Sequence, residues 1–306
     1  MNPYKIFVLI LLIFTSTALF AQRQVERNLI LHPLNDTTKT FNGKKISLAH
    51  NFSAFASFGK YIAIKDGDHE WYQQIGSMME LIRFRNNATL VVASHMQLFA
   101  DPNNDINLNP RAIFWEEGLF YSWKGKSNFY KAGYYHRCKH DVDNLTYGEE
   151  RGLIFGSFLF ETIFSVPLKN KDLIFALRND LYTIRQDYRS PRYIDDKLPN
   201  LEKILTSFRG NFHYQNLFTN QLGIYMNGYT MLNLFSRNEG LLDRVLNLNS
   251  ANVSAGLSSG LVIKGNAQIR IGLNYEYLTD SNIGIPFKPT HLLSFGILGI
   301  SPYAIR

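Results

Sequence analysis

The stretch Asn266–Leu278, NAQIRIGLNYEYL, alternates without a break. Asn266, Gln268, Arg270, Gly272, Asn274 and Glu276 take one parity, and Ala267, Ile269, Ile271, Leu273, Tyr275 and Tyr277 take the other. Successive side chains of an extended chain point to opposite faces, so this is a strand with one wet and one apolar side. A similar alternation, less clean, runs through Asn216–Leu234, where Thr219, Gln221, Gly223, Tyr225 and Asn227 oppose Phe218, Leu222, Ile224 and Met226. Lys171–Arg185 repeats it, with Arg178 and Asp180 opposite Leu173, Phe175, Leu177 and Leu181.

Extending the pattern in both directions predicts twelve strands, over 46–58, 77–85, 88–99, 112–123, 128–138, 151–167, 172–185, 204–214, 217–234, 251–263, 267–278 and 290–302. Short connections at Asn86-Asn87, Lys124–Ser127, Leu168–Lys171, Tyr214–Asn216 and Lys264–Asn266 alternate with long polar ones at 59–76, 100–111, 139–150, 186–203, 235–250 and 279–289. An even strand count, with short turns at one end and long loops at the other, predicts an all-β fold, the antiparallel transmembrane barrel of a bacterial outer membrane. A soluble sandwich also alternates, but it rarely sorts its loops by length or sustains strands this long. The chain ends Pro302-Tyr303-Ala304-Ile305-Arg306, so Tyr303 is the candidate for the aromatic on which such barrels commonly finish.

The opening MNPYKIFVLILLIFTSTALFAQ, with Lys5 ahead of an apolar run, reads as a secretory signal peptide over 1–21. A periplasmic segment over 22–45 and the barrel over 46–306 would follow. The single cysteine, Cys138, excludes an intrachain disulfide. No linker, repeat, phosphate loop or nucleic-acid motif is present, and neither a cofactor nor a metal is expected. The barrel reading implies the barrel-assembly machinery and outer-membrane lipid or lipopolysaccharide as partners.

The stretch Tyr134–Asp141, YYHRCKHD, sets Cys138 between His136 and His140. With the N-terminus in the periplasm, its strand rises from a short turn toward the outer loop 139–150. Lys131 and Arg137 share one parity and His136 and Cys138 the other. A Lys or Arg facing lipid near mid-bilayer costs ~2–4 kcal/mol, so the charged side belongs in the lumen and His136 and Cys138 should face lipid. On the next strand Glu161 assigns odd positions to the lumen, leaving Ile154, Phe158, Phe160 and Phe164 outside, while Glu150 at its mouth has the parity of this lipid face. A thiol, a base two residues before it and an acid on the neighbouring strand form a hydrolytic triad in outline. Cys138 would be the nucleophile, His136 the base and Glu150 the orienting acid.

His136-Arg137-Cys138 with Glu150 resembles the His-x-Ser arrangement of the outer-membrane phospholipase A and lipid A deacylase barrels, which implies acyl-ester hydrolysis at the lipid-facing wall. Separately, Asn109–Asn144 resembles an uncharacterised family of exported barrels carrying a Tyr-x-His-x-Ser-Ser-His-x-x-Asp-like segment. Tyr134, His136, His140 and Asp143 match that pattern, and Cys138 and Lys139 stand at its two serines.

Two other readings of the segment stand beside this one. His136, Cys138 and His140 share a parity and suit zinc or copper, but i, i+2 and i+4 on a strand spread over about 13 Å unless the chain curls after Cys138. An interfacial belt would use His136 and Tyr134 on headgroups and pack Cys138 as a small apolar residue. The barrel would then be non-catalytic, a narrow pore or a surface binding protein with Lys131, Arg137, Arg178, Asp180, Arg270 and Glu276 in its lumen. Elsewhere, Arg185–Lys197 reads as a solvated loop, Trp71 and Tyr72 in the first outer loop as interface anchors, and Trp115 with Glu116 and Glu117 as a lumen polar group.

Overall fold

The computed structural model describes residues 46–48, 52–62, 70–84, 88–100, 110–125, 128–141, 152–168, 171–187, 204–236, 248–278 and 290–301. Among them run β1 (Ile46–Leu48), β2 (Phe52–Tyr61), β3 (Trp71–Phe84), β4 (Thr89–Ala100), β5 (Pro110–Lys124), β6 (Asn128–Asp141) and β7 (Gly152–Leu168). They are followed by β8 (Lys171–Asp187), β9 (Ile204–Leu217), β10 (Leu222–Ser236), β11 (Leu248–Lys264), β12 (Gln268–Leu278) and β13 (Thr290–Ile300). From β2 to β13 every strand pairs antiparallel with its neighbour in sequence. The last strand, β13, pairs with β2 from Ser294↔Tyr61 to Ile300↔Phe55. The result is a closed twelve-stranded antiparallel barrel, with β1 extending the ladder on β3. Beyond Ile300 the seam continues: Ser301 N donates to Ala54 O and Ala54 N donates to Ser301 Oγ, both at 2.9 Å.

Closure turns the period-two pattern into an inside and an outside. Gln268, Arg270, Asn274 and Glu276 of β12 are buried in the lumen, while Ile269 and Leu273 stand exposed on the outer wall. The other walls repeat this, with Phe158, Phe160, Phe175, Leu177, Phe208, Leu261, Phe295 and Ile297 all exposed. Apolar outside and polar inside is the reverse of a water-soluble protein and the requirement of a membrane-spanning barrel. Aromatic side chains gather near both ends. Trp123 stacks on Tyr130 at 5.4 Å beside the short β5–β6 turn, and Phe58 stacks on Trp71 at 5.0 Å near the opposite end.

The lumen is filled by paired charge. Lys131 and Glu161, 2% and 1% exposed, sit 3.4 Å apart, and Lys131 Nζ lies 4.4 Å from the Phe120 ring centre. Arg178 donates from Nε and Nη2 to both oxygens of Asp180 at 2.8 and 2.5 Å. Arg137 Nε reaches Glu116 at 2.8 Å, with His95 Nδ1 3.5 Å from the same carboxylate. Glu80 and Arg83 would face opposite ways in a regular strand. A β-bulge between Glu80 and Ile82 turns both inward, where Arg83 binds the carboxylate at 2.9 and 2.7 Å.

Several predicted strand limits shift. Trp71 and Tyr72 belong to β3 rather than to a loop: Trp71 packs outward on Phe58 and Tyr72 is buried inside. The adjacent polar pair Gln73-Gln74 disguises the strand, because Gln73 faces out while Gln74 is buried. The β9–β10 turn falls at 218–221 instead of Tyr214–Asn216, where Thr219 Oγ1 accepts from Gln221 N (3.2 Å) and Leu222 N (2.9 Å). The predicted signal peptide, the segment 22–45 and Tyr303 lie outside the described residues.

A buried pair broken on one side leaves an uncompensated charge, a loss of about 3–5 kcal/mol, whereas removing both partners costs far less. Lys131→Met alone should therefore lower the unfolding midpoint in detergent by roughly that energy, and Lys131→Met with Glu161→Leu should recover most of it. Urea titration followed by the heat-dependent gel shift of the barrel measures both.

Candidate functional site

On β6 the odd residues Lys131, Tyr135 and Arg137 are buried inside, and the even residues Tyr134, His136 and Cys138 lie partly exposed on the outer wall. The faces follow from charge: Lys131 meets Glu161 and Arg137 meets Glu116 only if both strands turn those positions inward. His136 lies eight residues along β6 from Asn128 at the short-turn end. At ~3.3 Å per residue and a tilt of ~40°, that places it about 20 Å up the wall, toward the far edge of an apolar band about 25 Å tall.

Neighbouring strands complete the surroundings. His136 pairs with Glu117 of β5 and Gly156 of β7, and Cys138 pairs with Trp115 and Ile154. Trp115 and Glu117 are exposed on the same outer wall, so Trp115, Glu117, His136 and Cys138 form a two-by-two block. Residues opposed in an antiparallel ladder have Cβ atoms roughly 4.5–5.5 Å apart. Trp115 Nε1 donates to Glu117 Oε1 at 2.9 Å, which turns the carboxylate along β5 toward Trp115. The Tyr134 hydroxyl lies 3.2 Å from Thr183 Oγ1, which donates to Gly156 O at 3.3 Å. A Cβ at position 156 would collide with the Tyr134 hydroxyl, so glycine there lets the ring lie across β7.

The structure thus brings His136 and Cys138 to the outer wall, on one face and one strand. It corrects the prediction for Trp115 and Glu117, which face out: on β5 the even residues Phe114, Glu116, Phe120 and Ser122 fill the lumen, leaving the odd ones to the exterior. Two consecutive acids read from sequence as one lumen cluster, and the parity of β5 separates them. The proposed acid Glu150 lies outside the described residues, as does Asp143. The strand also continues past Cys138 to Asp141, so His136, Cys138 and His140 stay spread along an extended backbone. Among the described residues no three His, Cys, Asp or Glu side chains gather around a point.

A groove of about 420 Å³ lies elsewhere on the wall, between Phe175 and Leu177 of β8 and Leu257 and Tyr275 of β11 and β12. It does not adjoin the block.

No protein-family model and no curated protein matches this chain. Among solved structures it is similar to outer membrane phospholipase A from Escherichia coli, at 9% identity and a TM-score of 0.49, over 82% of this chain and 93% of that one. It is also similar to KdgM porin, at 10% identity and 0.40 over 81% and 98%. A third match is the TodX monoaromatic hydrocarbon channel, at 8% and 0.40 over 92% and 95%. The names include a phospholipase, a porin and a channel, so these matches do not choose among activities.

Because Cys138 is the sole cysteine, its surroundings can be read without engineering a background. A nitroxide attached there should be relaxed more strongly by oxygen dissolved in the bilayer than by an aqueous nickel chelate. The same label in an Arg137→Cys, Cys138→Ala variant should show weak access to both, since Arg137 is packed in the lumen.

Proposed function

We propose that this protein is an outer-membrane barrel that cleaves acyl esters of membrane lipid or lipopolysaccharide, with Cys138 as nucleophile and His136 as general base. The observation that carries the reading is the placement of both side chains on the lipid-facing wall near one edge of the apolar band. An ester carbonyl of a lipid in that leaflet lies at the same depth, so the substrate need not leave the membrane.

The chemistry runs in two steps. His136 takes the proton of the Cys138 thiol as the sulfur attacks the ester carbonyl. The C–O bond then breaks, His136 returns the proton to the departing alkoxide, and a thioester remains. Water next attacks the thioester with His136 again as base, releasing the fatty acid and restoring the thiol.

A second reading, a non-catalytic barrel, draws on a different observation. Inward residues from Glu80 on β3 to Glu276 on β12 are almost fully enclosed by one another, which argues for a surface binding role over a pore. Tyr134, Trp115 and His136 would then serve as interfacial anchors.

Fatty acid released from phosphatidylethanolamine and from lipopolysaccharide, in mixed micelles with the purified full chain, separates the readings. Cys138→Ala and His136→Ala should each reduce release by about 10²-fold or more while the barrel keeps its heat-dependent gel shift. Equal release by wild type and both variants would sink the hydrolase reading.

A further inference from the structure

We infer that Glu117 of β5 is the carboxylate that positions His136. The inference rests on the hydrolase reading above and adds to it the third member of the site. A base that takes a proton from a nucleophile works only if its ring is held in one tautomer with the correct nitrogen toward the thiol. Something must therefore accept a hydrogen bond from the other ring nitrogen.

Three observations point to Glu117. It is the direct ladder partner of His136, on the same outer face, so the two side chains leave the sheet side by side. On the other flank, the ladder partner of His136 is Gly156, which offers no side chain, and the Tyr134 hydroxyl lies over it. Finally, Glu117 is itself oriented: Trp115 Nε1 donates to its Oε1, and Trp115 is the ladder partner of Cys138. One carboxylate oxygen is engaged by the indole, and the second is free in valence to accept from the imidazole. The order across the two strands is then indole to carboxylate to imidazole to thiol.

The arrangement also accounts for a charge where the wall is otherwise apolar. Its outward neighbours on β5 include Trp115, Leu119 and Tyr121, all large and exposed. A carboxylate in that row gains nothing from lipid and a great deal from an imidazolium that forms beside it during proton transfer. In a medium of low dielectric constant this attraction is far stronger than in water. Glu117 takes up no proton and makes no bond to the substrate; it acts through His136.

The test uses the full chain in mixed micelles with phosphatidylethanolamine, measuring kcat and KM for fatty-acid release. Glu117→Gln should lower kcat by roughly 10²–10⁴-fold with KM little changed, as loss of an orienting carboxylate does in other triads. Glu117→Asp should restore part of the loss, which a merely structural role would not predict. A comparable fall in kcat in Glu150→Gln, with Glu117→Gln at the wild-type kcat, would return the orienting role to Glu150. A substrate-independent measurement runs alongside: alkylation of Cys138 by N-ethylmaleimide in vesicles should slow in Glu117→Gln as it does in His136→Ala. If Cys138→Ala and His136→Ala abolish turnover but Glu117→Gln keeps the wild-type kcat and alkylation rate, the dyad stands and the assignment to Glu117 is overturned. If Cys138→Ala and His136→Ala leave turnover intact, the hydrolase reading fails first and the role of Glu117 falls with it.

Discussion

A sheet within a bilayer can leave no edge unpaired, because hydrocarbon offers its N–H and C=O groups no partner. The seam between β13 and β2 meets that demand, and the rest of the molecule follows from it. Once the sheet is closed, each strand has one face toward lipid and one toward a narrow interior. Every residue is then committed by parity, apart from those next to a bulge. The interior of a barrel of this strand number is small enough for side chains to fill it. Charges placed there cannot remain hydrated, so they come in partners: Lys131 with Glu161, Arg178 with Asp180, Arg137 with Glu116 and Arg83 with Glu80. Further along the lumen the pairing becomes a network. With its amide turned to satisfy both neighbours, Asn227 donates to His213 Nδ1 at 2.5 Å and accepts from Arg270 Nη1 at 3.2 Å.

Such a fold was largely legible in the chain, for a physical reason. Period two is the only pattern that suits a wall with oil on one side and ion pairs on the other, and β12 displays it over its whole length. The loop lengths carried the topology. What escaped were places where the rule is locally relaxed. Near a membrane edge polar side chains face outward at little cost, and so Gln73 hid the first turns of β3. Turns were misplaced where Phe218 continued an apolar parity into the bend between β9 and β10.

The candidate site was legible to a lesser degree. The outward direction of His136 and Cys138 follows from Lys131 and Arg137, whose charge fixes the opposite face of the same strand. Neighbours across the ladder do not follow from any one strand. Glu117 is separated from His136 by a turn and about half of each strand, and its partner is set by the β5–β6 register, which spacing alone does not determine to one residue. A slip of one position would have brought Glu116 opposite His136, on the wrong side of the sheet. The sequence signal that would have found Glu117 is the contrast within Glu116-Glu117: two adjacent acids on a strand cannot both enter the lumen.

The closed interior bears on where function can reside. Many inward-facing polar groups bond one another: Ser207 Oγ donates to Asn233 Oδ1 at 2.5 Å, and Tyr229 donates to Glu276 at 3.2 Å. Side chains spent in this way hold the walls together and have little capacity left for a substrate. On the outer wall the balance is reversed. Much of it is apolar and satisfied by lipid, with polar exceptions such as Asn179, which donates to Thr206 Oγ1 at 2.8 Å, and the block on β5 and β6 gathers an acid, an imidazole, a thiol and an indole N–H on two adjacent strands. A barrel built only to persist in a membrane would have Leu or Phe at those positions, as it does one step away at Leu119 and Phe158. The cost of holding Glu117 and His136 there is small only because the block lies near the edge of the band, which is also the depth of the ester linkages of lipid. Low cost for polar side chains and the depth of the lipid ester linkages therefore coincide at one height on the wall, the height at which β5 and β6 carry Trp115, Glu117, His136 and Cys138.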